Sequence, residues 1–152
     1  HGKGSGTTST GSNSRMSEVE CAQMLIKTQH IDTWQKRRGD ISAYWMDRLN
    51  EAGIRTLIDR KNFNDHCYHK FVIDIDNRNQ LQDRLQYRGI QTRVHYTTPL
   101  HEIQCFANTT KPDLLANASV LCRRLLSLPI YPELSDLEIE YIADQVIDCI
   151  AE

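Results

Sequence analysis

The sequence predicts an α+β domain with a small, largely antiparallel sheet that has helices on one face. Three observations support this class. Amphipathic helical patterns occupy both ends of the chain, two short stretches in the middle alternate apolar and polar residues, and a helical pattern separates these two stretches. The 152 residues fit one ordinary domain, which is large enough to bury a core without a disulfide or a metal ion.

Two helices are predicted near the N-terminus. The first should begin at Ser17, because Ser17 and Glu20 have the spacing of a capping box, and it should end near His30. Asp32 is then expected to cap a second, longer helix that ends at Gly53 in the left-handed conformation. The apolar stripe of the first helix is formed by Val19, Ala22, Leu25 and Ile26. The first two helices should normally pack on another domain or on a partner, so exposed apolar stripes and self-association of the chain are expected.

The middle of the chain predicts two strands around a helix. The stretch YHKFVIDI (residues 68–75) alternates as a strand buried mainly on one face does. A weak strand followed by a loop is predicted before it, over residues 54–66. The stretch NRNQLQDRLQYRG (residues 77–89) predicts a helix with Gly89 at its C-terminal cap, and IQTRVHY (residues 90–96) predicts a second alternating strand.

The pattern of the C-terminal part predicts a helix, a short strand and a last helix. A helix is expected over residues 113–126. The prolines of LSLPIYPEL (residues 126–134) restrict that segment to an edge strand or an extended turn, because proline has no amide for a central ladder. Ser135 and Glu138 form a second capping box before the last helix. Its apolar stripe consists of Ile139, Ile142, Val146 and Ile150.

Composition excludes several classes of function. The formal net charge of −2 does not provide the basic surface that general nucleic-acid binding needs. No run approaches the ~18 apolar residues of a membrane span, and the N-terminus lacks the apolar core of a signal peptide. Five scattered cysteines suit buried, reduced thiols better than a disulfide framework, so a cytoplasmic protein is expected. They are Cys21, Cys67, Cys105, Cys122 and Cys149.

The glycine-rich opening, residues 1–16, allows four interpretations. It lacks the preceding strand of a dinucleotide fingerprint and the Gly-Lys-Ser/Thr of a phosphate loop at a helix start, so a disordered connector is favoured over both. However, GSNSRM (residues 11–16) lies at a helix entry, where amides and a carboxamide could meet an anion beside the positive end of the helix dipole.

Two histidine clusters are candidate sites. The HCYH cluster (residues 66–69) could contribute to a metal site, but zinc needs further ligands and no CxxC or HxxxH partner is present, so packing at a strand edge is favoured and no metal is expected. In RVHYTTPLH (residues 93–101), His95, Tyr96 and His101 lie where a strand runs into a loop. Such junctions often bind substrates, although a structural role is as probable here. No nucleophile elbow exists, and no catalytic residue is assigned.

Several of these segments in order resemble a known family. The segments are Gly11-x-Asn13-x-Arg15-Met16, Gly89-Ile90 with Val94-His95-Tyr96, and Leu128-Pro129-Ile130-Tyr131-Pro132. Over nearly the whole chain they resemble the C-terminal portion of the DegT/DnrJ/EryC1/StrS family of sugar aminotransferases. The resemblance implies the small C-terminal domain of a fold-type I enzyme that depends on pyridoxal 5'-phosphate (PLP). Such enzymes are usually homodimers and move an amino group from glutamate to a nucleotide-linked keto sugar.

The resemblance also implies roles for individual residues. Asn13 matches the asparagine that reaches the cofactor phosphate of the neighbouring subunit, and its amide is a suitable donor to a phosphate oxygen. Arg15, His95 and Tyr96 are expected on the side of the sugar nucleotide.

The family's Schiff-base lysine, and the aspartate that pairs with the pyridinium nitrogen, belong to a large N-terminal domain upstream of the matched portion. Residues 1–16 are therefore expected to be a loop from the junction with that domain, and residues 17–152 to be the small domain, inactive alone. The alternative is a non-catalytic module for dimerisation or sugar-nucleotide binding. No Schiff base is assigned to any of Lys3, Lys27, Lys36, Lys61, Lys70 and Lys111.

Overall fold

The structure is a computed structural model that describes residues 16–58, 66–106 and 115–151. In chain order its elements are α1 (Glu18–Thr28), α2 (Ile31–Glu51), β1 (Arg55–Thr56), β2 (Phe71–Asp74), α3 (Arg78–Tyr87), α4 (Ala116–Arg124), β3 (Leu125–Leu128) and α5 (Asp136–Ala151), with a short 3₁₀ turn at Leu100–Glu102. The chain forms two compact units, His1–Thr33 and Trp34–Glu152.

In the first unit, α1 begins with the predicted capping box. The Ser17 amide donates to the Glu20 carboxylate at 2.8 Å, and the Glu20 amide donates back to the Ser17 hydroxyl at 3.3 Å. These bonds satisfy backbone donors that the first turn of a helix leaves unpaired, which is why the helix starts here. No residue of α1 is buried.

The boundaries of α2 differ from the prediction at one end only. Asp32 was expected to cap the helix, but α2 begins at Ile31 and Asp32 lies within its first turn. A carboxylate is favourable there because it faces the positive end of the helix dipole. At the other end Gly53 has φ +77°, as predicted, and the amide of Ile54 donates to the carbonyl of Leu49 at 2.9 Å.

The sheet is small and antiparallel, as predicted, with strand order β1-β2-β3. Its register pairs Phe71 with Leu128 and Ile73 with Leu126, and these four side chains are almost fully buried. The short segment before Pro129 is an outer strand, as its prolines required. It begins at Leu125, so the helix predicted over residues 113–126 ends earlier, at Arg124.

The strand predicted over residues 90–96 does not form. Only an isolated bridge between Arg93 and Ser127 is present, although the amide of each donates to the carbonyl of the other, at 3.0 and 2.8 Å. The same register would place Gln91 opposite Pro129, which has no amide to donate. The ladder therefore stops after one pair on that side.

The core of the second unit is centred on Trp45 of α2. Its ring meets Phe71 of β2 edge to face, with 5.3 Å between centroids, and its indole nitrogen donates to the carbonyl of Ile139 in α5 at 2.9 Å. One side chain therefore links the long helix, the sheet and the last helix. The predicted stripe of α5 is buried except for Ile150, which is 36% exposed, while Cys149 is buried in that turn.

A buried carboxylate lies at the end of the central strand, β2. Asp74 is the last residue of β2, and its side chain is only 1% exposed. It accepts hydrogen bonds from Arg55 at 3.0 Å and from Arg124 at 2.5 Å. Arg124 also contacts Asp76. The charge is tolerated in the interior because two guanidinium groups compensate it.

The cysteines are only partly as expected. All five lie in the described residues and none forms a disulfide. Burial was expected, but Cys21, Cys67 and Cys105 are exposed and only Cys149 is fully buried. Among the described helices, none is both long and apolar enough to cross a membrane.

Candidate functional site

Two cavities of the second unit share His95 and Tyr96 as part of their walls. The first has a volume of about 860 Å³ and lies among the end of α3, the segment after it, β3 and the start of α5. The second has a volume of about 950 Å³ and lies between the loop after Tyr96 and α4. Both volumes are in the range of small-molecule sites. The two residues that the sequence singled out therefore stand where both cavities meet.

His95 is held by the middle of β3. The bridge between Arg93 and Ser127 brings the two segments together, and the Nδ1 atom of His95 lies 2.9 Å from the Oγ atom of buried Ser127. Burial lowers the pKa of His95 below its ordinary 6.5, and the nearby positive charges of Lys70, His69 and Arg93 lower it further. A neutral imidazole at neutral pH can accept a proton or a hydrogen bond, which an imidazolium cannot.

Tyr96 presents an open aromatic surface. Its side chain is 69% exposed, and its ring lies edge to face with His95 at a centroid distance of 5.7 Å. The Lys70 ammonium lies 5.5 Å from the centre of the same ring, within the range of a cation–π interaction. The peptide bond between His95 and Tyr96 is cis. With 69% of its surface exposed, Tyr96 is accessible to a ligand, while its ring contacts His95 and Lys70.

Sequence reasoning did not assign Lys70 and Arg93 to this site. Both line the first cavity, and within the described residues neither side chain makes a hydrogen bond or an ion pair. The signal for Arg93 was present, because residues two apart in an extended segment point to the same face and Arg93 precedes His95 by two. No feature of the sequence near Lys70 pointed to the site. Its position beside Tyr96 depends on how the residues just before β2 pack against the segment that contains Tyr96.

His101 does not join His95 in one cluster. It lines the second cavity together with His95, but its Nε2 atom lies 3.1 Å from the Ser119 hydroxyl on α4. That hydroxyl donates to the Glu102 carboxylate at 2.5 Å. Because its proton is directed at Glu102, Ser119 is not activated by His101 as a nucleophile would be. The hydrogen bonds of His101 and Glu102 with Ser119 connect the loop after Tyr96 to α4.

The remaining sequence candidates divide into two groups. Asn13 and Arg15 lie outside the described residues, so their placement at the site stays a prediction. His66 lies in the chain before β2 and accepts a hydrogen bond from the Tyr68 amide at 2.9 Å through Nδ1. Within residues 16–58, 66–106 and 115–151, no three His, Cys, Asp or Glu side chains are grouped so that they could hold a metal ion.

Comparison with known proteins identifies a family. Residues 1–147 match the model of the DegT/DnrJ/EryC1/StrS aminotransferase family. The chain is 34% identical over 126 residues to the erythromycin biosynthesis sensory transduction protein EryC1 of Saccharopolyspora erythraea, covering 82% of this chain and 34% of that protein. It is 33% identical over 144 residues to dTDP-3-amino-3,4,6-trideoxy-alpha-D-glucose transaminase of Streptomyces venezuelae, covering 93% of this chain and 37% of that protein.

Solved structures agree with this result. The crystal structure of S. venezuelae DesV in complex with a ketimine intermediate has a TM-score of 0.83 and 28% identity, over 97% of this chain and 40% of that chain. A family member from Brucella abortus has a TM-score of 0.80 at 24% identity, over 96% of this chain and 40% of that chain, and so supports the fold. The chain spans two fifths or less of the length of these proteins.

Proposed function

The chain belongs to the DegT/DnrJ/EryC1/StrS aminotransferase family, and on this basis we propose that it is the C-terminal portion of a PLP-dependent sugar aminotransferase. The complete enzyme transfers an amino group from glutamate to a nucleotide-linked keto sugar, works as a homodimer and is cytoplasmic. The observation that carries this proposal is the match of residues 1–147 to the family, which includes transaminases of nucleotide-linked sugars.

The fold supports assignment to the small domain. The described residues form helices and a three-stranded antiparallel sheet, as the small C-terminal domain of a fold-type I enzyme does. In this proposal residues 1–16 are the junction with a large domain and residues 17–152 are the small domain, with its helices on one face of the sheet. Asn13 binds the cofactor phosphate of the neighbouring subunit, and Arg15 lies toward the sugar nucleotide.

The substrate side is formed by His95 and Tyr96. His95 is fixed through Ser127 and has a lowered pKa, so it offers a neutral ring nitrogen to a sugar hydroxyl. Tyr96 offers an exposed phenol beside it. Both groups orient a polar substrate, and neither needs to change charge at neutral pH to do so.

The described residues do not form a PLP site by themselves. Lys36 is bound to Asp40 at 2.8 Å with 78% of its side chain exposed, which is not the desolvated setting of a Schiff-base lysine. Lys70 lies beside Tyr96 in the wall of the first cavity. Among the described residues, Glu138 is the only carboxylate that lines this cavity, and it accepts a hydrogen bond from the Ser135 hydroxyl. An acidic partner for a pyridinium nitrogen is therefore missing among these residues. PLP, when bound to the complete enzyme, supplies an electron sink for amino transfer.

The experiment compares the chain with the complete gene product. The purified chain is mixed with PLP, treated with borohydride and mapped by mass spectrometry, and transamination of nucleotide-linked keto sugars by glutamate is measured for both proteins. We expect activity only in the complete product and no stoichiometric adduct on the chain. An adduct at one lysine that disappears when that lysine is changed to Arg would contradict the proposal, as would a complete product that lacks a lysine-bearing large domain.

A further inference from the structure

A third cavity of the second unit, of about 400 Å³, lies between α3 and the segment that follows this helix. Its wall consists of Gln82, Gln86, Gln91, Thr92, Arg93 and Val94. Three of these six residues are glutamines, and none of the six is acidic. The volume is within the range of small-molecule sites, and the polar side chains of the wall favour a polar ligand.

The main chain of this segment directs two amide groups away from β3. Arg93 exchanges both of its backbone hydrogen bonds with Ser127, at 3.0 and 2.8 Å. Because the residues on either side of such a pair direct their peptide groups the opposite way, the amides of Thr92 and Val94 are directed away from β3. Neither amide makes a hydrogen bond within the described ranges. The Thr92 carbonyl already accepts a hydrogen bond from the Gln82 side chain at 3.3 Å, so this edge of the segment has more free donors than free acceptors.

Two side chains of the same wall also lack a partner in the part of the chain that the structure describes. The Thr92 hydroxyl is buried and makes no hydrogen bond. The Arg93 guanidinium, which lines both this cavity and the first, makes no hydrogen bond and no ion pair. A buried hydroxyl without a partner is unfavourable, and an arginine without a counterion attracts an anion. Both groups would therefore be satisfied by an anionic ligand.

We propose that the third cavity binds the carboxylate group of a small polar ligand, with Arg93 as the charged anchor and Thr92 and Val94 as further donors. A carboxylate fits because its two oxygens accept together from the planar guanidinium and need only donors around them. Gln86 and Gln91 can both donate and accept, so they suit the polar groups on the rest of the ligand. This inference does not rest on the proposed function.

The test is a titration of the purified chain with succinate, followed by two-dimensional NMR. The comparison ligands are succinamide, which has the same length but no charge, and inorganic phosphate, which is charged but not planar. Succinate should bind at millimolar concentration, and succinamide about tenfold more weakly, because a hydrogen bond to a charged group is the stronger one. The resonances of Gln86 and Val94 should shift, whereas those of Tyr131 and Tyr141, which line the first cavity and not the third, should not.

Matched variants separate the contribution of each residue. Arg93→Gln should weaken succinate binding about tenfold, and its control is Arg123→Gln, an exposed arginine that does not line the cavity. Thr92→Val should also weaken succinate binding, but it should not lower the free energy of unfolding, because its hydroxyl has no partner within the described ranges. The control for Thr92→Val is Ser42→Ala, which removes a buried hydroxyl without a partner that is not part of the cavity wall. Circular dichroism confirms that each variant is folded.

The outcomes distinguish this inference from the proposed function. Failure of succinate to bind at millimolar concentration would overturn the inference, as would tighter binding of phosphate or shifts centred on Tyr131 and Tyr141. Equal losses in Arg93→Gln and Arg123→Gln would show a non-specific attraction of anions and would also overturn it. Unchanged binding with lower stability in Thr92→Val would contradict the role of the hydroxyl. None of these outcomes depends on transaminase activity.

Discussion

The Nδ1 atom of His95 lies 2.9 Å from the Oγ atom of Ser127. Ser127 is buried in the middle of β3, and its backbone pairs with Arg93 two residues before His95. The imidazole is therefore positioned by both the side chain and the main chain of one strand residue. This relationship places a neutral histidine beside two cations, and its titration can be measured.

Lys70→Gln is expected to raise the pKa of His95 toward 6.5. Burial is the main cause of the lowered pKa, and the charge of Lys70 contributes to it, so removing that charge favours the imidazolium. The measurement is an NMR titration of the imidazole resonances. Arg123→Gln removes a charge elsewhere and should leave the pKa of His95 unchanged. An unchanged value in Lys70→Gln would show that the ammonium does not act on this ring.

The free energy of unfolding is expected to decrease as the pH falls below about 6.5. The pKa of His95 is lower in the folded chain than in the unfolded chain, so the unfolded chain binds more protons in this range. The stabilising effect is complete above 6.5 and is lost as the pH falls through the folded pKa. Urea unfolding between pH 7.5 and 5 measures it. His95→Gln should flatten this dependence, and an equally steep curve in that variant would refute the interpretation.

Asp74→Asn is expected to lower the free energy of unfolding by about 2 kcal/mol, because it weakens charged hydrogen bonds of a carboxylate that is only 1% exposed. The matched control is Asp76→Asn. Asp76 contacts the same Arg124, but its side chain is 79% exposed, so the loss should be under about 1 kcal/mol. Urea unfolding of both variants gives the comparison. Equal losses would mean that burial of Asp74 does not matter to the strength of the pair.

Alanine is expected to have opposite effects at two glycines. Gly89 has φ +80°, which strains any residue with a Cβ atom, so Gly89→Ala should lower the free energy of unfolding by about 1 kcal/mol. Gly39 lies inside α2, and an added Cβ would meet the Tyr68 ring at 3.6 Å, an ordinary contact. Gly39→Ala should therefore stabilise the chain by about 0.5–1 kcal/mol. Thermal unfolding of both variants checks the two signs, and destabilisation by Gly39→Ala would reveal a clash with Tyr68.

The local features of the fold were predictable. The capping boxes at Ser17 and Ser135 and the left-handed glycines at Gly53 and Gly89 are present as expected. The burial of Leu81 and Leu85 in α3 is also confirmed. These features depend on interactions within about four residues along the chain, so the sequence contains the information directly.

The candidate site was predictable only in part. His95 and Tyr96 were recognised because they end an alternating stretch, and they do line the cavities. The expected strand around them is reduced to one bridge, and Pro129, which lies opposite Gln91 in that register, stops the ladder on the side before Arg93. Pairing between segments that are about thirty residues apart is not encoded in either segment alone.

The sequence by itself determined the class of fold, the ends of most helices and the family to which the chain belongs, since these follow from local periodicity, caps and ordered motifs. Only the tertiary structure decided that Lys70 and Arg93 share a cavity with His95. The reason is physical: Lys70 precedes β2, Arg93 bridges β3, and they meet only because β2 and β3 pair side by side in the sheet. The charge of the site is therefore a consequence of strand pairing.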